Sequence, residues 1–111
     1  MTDWSPERVE ELAGRVAASP HVARLSPGRF GTVAFYLPGR KVVGLRLVDD
    51  DRLEVHVVMQ WGSTVHELEG DVREIVGEVA GEADAMDLVI DDIDVPDVAT
   101  KEPRGARPVT R

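Results

Sequence analysis

The amino-acid sequence predicts an α+β domain: a small mixed β-sheet of three to four strands with two helices packed on one face. Stretches 6–18 and 64–82 carry apolar residues at helical spacing, whereas 41–48, 53–60 and 86–95 carry the alternating or short apolar patterns of strands. The second helix lies between two of these strands, so a strand–helix–strand unit with parallel strands is expected. One sheet layer and one helix layer make a two-layer α+β domain.

The first helix has a clear start and end. Ser5 and Pro6 are typical of a helix start, with serine at the N-cap and proline at the first helical position. The apolar residues that follow recur every three or four positions and form one face: Val9, Leu12, Ala13, Val16 and Ala17. The helix is expected to end at Ser19-Pro20, because the residue before a proline avoids helical dihedral angles.

The next segment contains an ambiguous stretch and a turn. Residues 30–37 are open between a strand and a helical turn, because their apolar residues alternate but the stretch is short. Pro38 and Gly39 predict a tight turn, in which proline fixes φ and glycine takes a positive φ. Residues 41–48 then predict one continuous strand.

A β-hairpin is predicted over residues 41–60, with its tip at the aspartates 49–51. The inward side chains of its second strand are expected to be Leu53, Val55, Val57 and Met59. The alternate positions, which include Glu54 and His56, are then expected to face water, as one face of such a sheet commonly does.

The second helix begins with a capping box formed by Thr64 and Glu67. Its buried stripe is expected to comprise Val65, Leu68, Val72, Ile75, Val76 and Val79. Residues 86–95 predict the last strand, which Pro96 ends. The domain is expected to span residues 1–98, and residues 99–111, which carry two prolines and no apolar periodicity, are expected to form a disordered basic tail.

Charge is unevenly distributed along this chain of net charge −8. Residues 12–48 hold six cations and no acid, whereas residues 49–99 hold sixteen acids and two arginines. If the fold keeps these blocks apart, oppositely charged surfaces of two copies attract each other. The alternative is that folding mixes the blocks, since neighbours in sequence need not be neighbours on a surface.

The sequence offers no pattern typical of an enzyme, a metal site or a cofactor site. It has no cysteine, which excludes a disulfide framework, a cysteine-ligated zinc and a cysteine nucleophile. Its three histidines lack the spacing of metal ligands, and its aspartate clusters lack the pattern of a calcium loop. We therefore expect no catalytic residues, no metal and no cofactor.

One short motif suggests an alternative function. Gly28-Arg29-Phe30-Gly31 matches the Gly-x-x-Gly loop with which KH domains clamp a nucleic-acid backbone. A KH loop joins two helices, however, and here strand or irregular chain is expected on its C-terminal side. The acidic net charge disfavours RNA and gives no reason to expect DNA, since nucleic-acid binders usually show a basic footprint.

Several strings of the chain are shared with one protein family. They are the first-helix pattern from Val9 to Ala17, the segment Pro20–Leu25, the strand Leu53–Gly62 that ends in Trp-Gly, and the strand Leu88–Val95. In these strings and in the order of its elements the chain resembles the alkaline shock, or general envelope-stress-response, proteins of Gram-positive bacteria. The segment Tyr36–Arg40 is similar to the short actinobacterial type.

The resemblance implies a non-enzymatic cytoplasmic protein of cell-envelope homeostasis. Such a protein self-assembles, does not insert into the membrane, and in some cases is held there by a membrane-anchored protein partner. A cytoplasmic location also agrees with the lack of a recognisable signal peptide and of an apolar run near the ~18 residues of a membrane span.

Self-assembly and partner binding need contact residues, and the candidates are those that carry segregated charge or an aromatic ring beside it. They are Arg24, Arg29, Arg40 and Lys41 as a basic patch, Trp61 as an aromatic contact, and Asp91 and Asp92 on a complementary acidic strand.

Overall fold

The computed structural model describes residues 4–49, 52–81 and 86–96 and confirms the α+β class. In chain order its elements are α1 (Pro6–Ala17), β1 (Val22–Leu25), β2 (Ala34–Leu37), β3 (Arg40–Val43), β4 (Leu45–Val48), β5 (Arg52–Gln60), α2 (Val65–Ala80) and β6 (Met86–Asp94). The predicted tail 99–111 and two of the three hairpin-tip aspartates, Asp50 and Asp51, lie outside the described residues.

The main sheet has four strands arranged around β5. Strand β6 runs parallel to β5 along its length, from the pair Leu53–Met86 to the pair Gln60–Asp94. Strands β4 and β1 both pair antiparallel with β5, β4 beside its first half and β1 beside its second half. The predicted parallel strand–helix–strand unit is therefore confirmed, and the predicted hairpin is confirmed over residues 45–48 and 52–60.

Both helices pack on one face of this sheet, where the core lies. The core is formed by the inward positions of β5, by α1 and α2, and by single residues of β1, β4 and β6. Its fully buried side chains are Val9, Leu12, Val16, Leu45, Val55, Val57, Leu68, Val72, Val76 and Met86. Two polar contacts also join the helix α1 region to α2: an ion pair from Arg15 to Glu78 and a hydrogen bond from Ser19 to Asp71.

Both helix starts agree with the sequence. The Ser5 side chain accepts a hydrogen bond from the Arg8 N–H at 3.2 Å, and Thr64 and Glu67 form the reciprocal capping box. The predicted faces are correct except at their ends, where Ala17 and Val65 are exposed rather than buried.

The prediction of one continuous strand over residues 41–48 is wrong. Gly44, at φ +96°, divides it into β3, which pairs with β2 in a separate hairpin, and β4, which belongs to the main sheet. The Gly44 N–H donates to the Val33 carbonyl at 3.0 Å, and its carbonyl accepts from the His56 N–H at 2.8 Å. Because β3 pairs with Ala34–Leu37, the ambiguous stretch 30–37 contains a strand, and Pro38-Gly39 forms the predicted turn.

The second prediction to fail is that the sheet face opposite the helices, here called the outer face, is solvated. On β5, His56 is only 8% exposed and Val58 only 5%. The loop of residues 26–33 passes over this face: the Ser26 N–H donates to the His56 carbonyl at 2.9 Å, and Val33 is itself buried. The alternation along β5 correctly predicts which side chains face away from the helices. It does not predict that the loop of residues 26–33 covers them.

Candidate functional site

Three residues form a row across the outer face. The register pairs Arg24 of β1 with Val58 of β5, and Val58 with Asp92 of β6. Neighbouring strands lie about 4.8 Å apart, so the Cα atoms of Arg24 and Asp92 are roughly 10 Å apart, on either side of Val58. The Cα atoms of a cationic and an anionic residue therefore flank one apolar position, and the Arg24 side chain extends toward β6, where its Nη1 lies 3.7 Å from Asp94 Oδ1.

A β-bulge in β6 places a second aspartate beside this row. Val57 pairs with Ile90 and Val58 pairs with Asp92, so Asp91 is an extra residue on β6. A bulge of this kind re-aims a side chain at the point where pairing is interrupted. The Asp91 carboxylate consequently reaches His56 on β5, with 3.1 Å between Asp91 Oδ2 and His56 Nδ1.

His56 lies between two carboxylates. Its Nε2 atom is 3.1 Å from Glu54 Oε1, which also accepts from Arg46 Nη2 at 2.7 Å. Each nitrogen of the imidazole ring therefore contacts a different carboxylate. The hydrogen bond from His56, and next that from Arg46, holds the pKa of the Glu54 carboxyl below its ordinary value of 4.5.

Glycine allows the loop to approach this network closely. Gly28 has φ +82°, and a Cβ atom there would lie 2.6 Å from Val33 Cγ2 and 3.8 Å from the His56 ring. The Gly28 N–H also donates to the Ser26 side chain at 3.0 Å. The loop thus forms a wall over the middle of β5.

Between this wall and β6 lies a cavity of about 520 Å³, here called the charged groove. Its lining includes Arg24, Arg29, Ser26, Val58, Asp91 and Asp92. Four of the seven predicted interaction residues therefore meet in one place, two cations and two aspartates. The sequence had assigned them to two separate surfaces.

The cations of the groove have weak partners or none within the described chain. Arg24 Nη1 lies 3.7 Å from Asp94 Oδ1, and both side chains are at least half exposed. No ion pair of Arg29 is found among residues 4–49, 52–81 and 86–96. Asp92 accepts the Ile93 N–H through Oδ1 at 2.8 Å.

The two other predicted cations lie on the β2–β3 hairpin and do not line the groove. Arg40 forms an ion pair with Glu10 on α1. Lys41 is exposed and lies opposite Tyr36 in the hairpin. The predicted basic patch is therefore distributed over two parts of the fold.

Exposed apolar side chains gather where β5 and β6 end, in a region here called the apolar end: Trp61, Val65, Ile93 and Val95. Gln60 pairs with Asp94, so Trp61 and Val95 occupy the next positions of two neighbouring strands. Val65 is the first residue of α2, four positions after Trp61. Trp61 is 52% exposed, Val65 56%, Ile93 42% and Val95 37%.

The Gly-x-x-Gly motif forms a turn between two strands. The Gly31 N–H donates to the Gly28 carbonyl at 3.2 Å, and Phe30 at its tip is 83% exposed. The turn joins β1 to β2, whereas a KH loop joins two helices. The geometry of a KH clamp is thus not reproduced.

Two further tests concern metals and membranes. Across the part of the chain that the structure describes, no group of three or more His, Cys, Asp and Glu side chains is placed to hold a metal ion. Among those same residues, neither helix has the length and apolar character needed to cross a membrane.

Sequence reasoning missed His56, Glu54 and Ser26 as parts of the site. Alternation placed the first two on the outer face, but no local signal reveals that a loop more than 20 residues away in sequence covers them. The bulge that changes the direction of the Asp91 side chain also cannot be recognised from the pattern of apolar residues.

Comparison of the chain with protein-family models, with curated proteins and with solved structures finds no match.

Proposed function

We propose that this protein is a non-enzymatic interaction protein of the envelope-stress-response type, which acts by self-assembly and by binding a protein partner. The observation that carries the proposal is the apolar end, where Trp61, Val65, Ile93 and Val95 are each more than a third exposed. Exposed apolar side chains at neighbouring positions of two strands, as Trp61, Ile93 and Val95 are by register, are typical of an interaction site.

The composition of the apolar end suits a protein contact. Tryptophan is among the residues that contribute most to binding energy when a partner covers them. Charged side chains border the apolar ones, since Asp94 lies between Ile93 and Val95 and contacts Arg24. An apolar centre with a polar rim is the usual anatomy of a protein interface.

The proposed biological setting follows from the sequence resemblance. We place the protein in the cytoplasm, where it contributes to cell-envelope homeostasis and is held near the membrane by a membrane-anchored partner. The absence of catalytic activity is part of the same proposal.

The test of self-assembly is light scattering coupled to size exclusion, on the full chain and on Trp61→Ala. We expect the wild-type chain to be an oligomer and Trp61→Ala to have a lower mean mass at equal concentration. Phe30→Ala is the matched control, because Phe30 is the more exposed aromatic and lies in the loop over the outer face. It should keep the wild-type mass.

A wild-type chain that stays monomeric at every concentration would remove self-assembly from the proposal. An equal loss of mass in both variants would instead show that the contact does not centre on the apolar end.

A further inference from the structure

We propose that the charged groove binds a short peptide through its free amino and carboxyl termini. The carboxylate of the peptide binds Arg24 and Arg29, its ammonium binds Asp92, and its middle lies over Val58. This site shares no residue with the apolar end, so the inference does not rest on the proposed function.

The pattern of charge selects a zwitterion. Arg24 lies on one side of Val58 and Asp92 on the other, with roughly 10 Å between their Cα atoms by strand spacing. A simple anion is attracted by the arginines but repelled by the aspartates, and a simple cation meets the reverse. Only a ligand with both charges has a partner for the arginines and for the aspartates of the groove, and repulsion of the alternatives is a common source of specificity.

The charged groups are available for a ligand. Arg29 has no ion pair among the described residues, and Arg24 has only an exposed contact at 3.7 Å. Of the Asp92 carboxylate, Oδ1 is used by the adjacent backbone N–H. The Asp91 carboxylate contacts His56, and this contact fixes its position beside Asp92.

The size of the groove fits a peptide of two to three residues. Its volume of about 520 Å³ lies in the range of small-molecule sites, which is roughly 300–1,000 Å³. An extended chain spans at most ~3.3–3.6 Å per residue, so a tripeptide is about as long as the roughly 10 Å between the Cα atoms of Arg24 and Asp92, whereas a free amino acid is much shorter.

The experiment is an NMR titration of the full chain, which follows backbone amide shifts, with trialanine as the probe. We expect saturable shifts at Arg24, Val58 and Asp92. Trialanine with an acetylated amino terminus or an amidated carboxyl terminus should each bind at least tenfold more weakly, because each loses one charge-assisted contact. Free alanine should also bind at least tenfold more weakly.

Two variants of the protein then test which residue binds each terminus of the peptide. In Arg29→Gln, amidation of the carboxyl terminus should weaken binding less than it does in the wild-type chain. In Asp92→Asn, acetylation of the peptide's amino terminus should weaken binding less than it does in the wild-type chain. Lys41→Gln and Glu7→Gln are charge-matched controls away from the groove and should bind like the wild-type chain.

Three results would overturn the proposal: no saturable shift in the groove residues, equal binding of blocked and free trialanine, or equal binding of free alanine. None of them depends on the oligomeric state, which is measured separately by light scattering. Failure here and failure of the proposed function are thus distinguishable.

Discussion

At the scale of single residues, His56 connects two neighbouring strands on the outer face of the sheet. It is 8% exposed and contacts Glu54 on its own strand and Asp91 on β6. Without the imidazole ring, two carboxylates would remain on this face, with Arg46 paired to only one of them. The histidine therefore links β5 to the bulge of β6, which contributes Asp91 to the charged groove.

Replacement of His56 by alanine should destabilise the fold by about 2–3 kcal/mol, since hydrogen bonds to charged groups contribute roughly 1.5–3 kcal/mol each and, within the described residues, only Glu54 keeps a second partner, Arg46. The free energy of unfolding in urea measures this. His66→Ala is the matched control, because His66 is exposed on α2, and it should change stability by less than ~0.5 kcal/mol. Equal effects of the two substitutions would contradict a special role for His56.

Glu54 should contribute to stability in a way that depends on pH. Its pKa in the folded state lies below the ordinary value of 4.5, so its contribution is present above that value and is lost as the pH falls through the folded-state pKa. In Glu54→Gln, the loss of unfolding free energy below pH 4.5 should therefore be smaller than in the wild-type chain. Urea unfolding at a series of acidic pH values measures it, and identical pH profiles would contradict the role of this carboxyl.

At the scale of elements, Gly44 decides how the strands are divided. Its φ of +96° is a conformation that side chains rarely adopt, and a Cβ atom would lie 2.8 Å from Leu25 Cβ and 3.2 Å from the His56 carbonyl oxygen. The residue lets the chain pass from the β2–β3 hairpin into the main sheet without losing either hydrogen bond of its backbone.

Gly44→Ala should thus destabilise the protein by more than backbone strain alone. Left-handed φ costs an alanine roughly 1–2 kcal/mol, and the close contacts add to that. Gly31→Ala is the matched control, because Gly31 also has a positive φ but a Cβ atom there would meet open space. Urea unfolding should give a larger loss for Gly44→Ala, and equal losses would show that packing at Gly44 contributes nothing.

The elements also show which features can be predicted from sequence. Helix starts, the Pro38-Gly39 turn and the inward face of β5 depend on near neighbours, and residues such as Ser5 and Thr64 specify them. The break at Gly44, the bulge at Asp91 and the cover over His56 depend on residues that meet only after folding. Most of the fold was accordingly predictable, whereas the groove was not, because it forms where these three features coincide.

At the scale of the whole molecule, the two charge blocks are partly mixed. Four of the six cations of residues 12–48 form ion pairs inside the fold: Arg15 with Glu78, Arg24 with Asp94, Arg40 with Glu10, and Arg46 with Glu54. For Arg29 and Lys41 no ion pair is found within the described ranges. Attraction between copies therefore depends on fewer cations than the sequence suggests.

The hairpin cations still give a test of charge-driven assembly. The double substitution Arg40→Glu and Lys41→Glu should weaken self-association by up to about thirtyfold at low salt, since exposed ion pairs contribute roughly 0.2–1 kcal/mol each. The effect should shrink at high salt, because salt screens exposed charges. Light scattering over a range of concentrations gives the dissociation constant.

A charge-matched control separates this specific contact from a general effect of net charge. The double substitution Arg104→Glu and Arg107→Glu changes the net charge by the same amount but alters only residues of the predicted tail. If it weakens association as much as the hairpin variant does, assembly responds to total charge rather than to a surface of the hairpin. If the hairpin variant alone dissociates and the loss is reduced by salt, Lys41 and Arg40 lie in or beside the contact between copies.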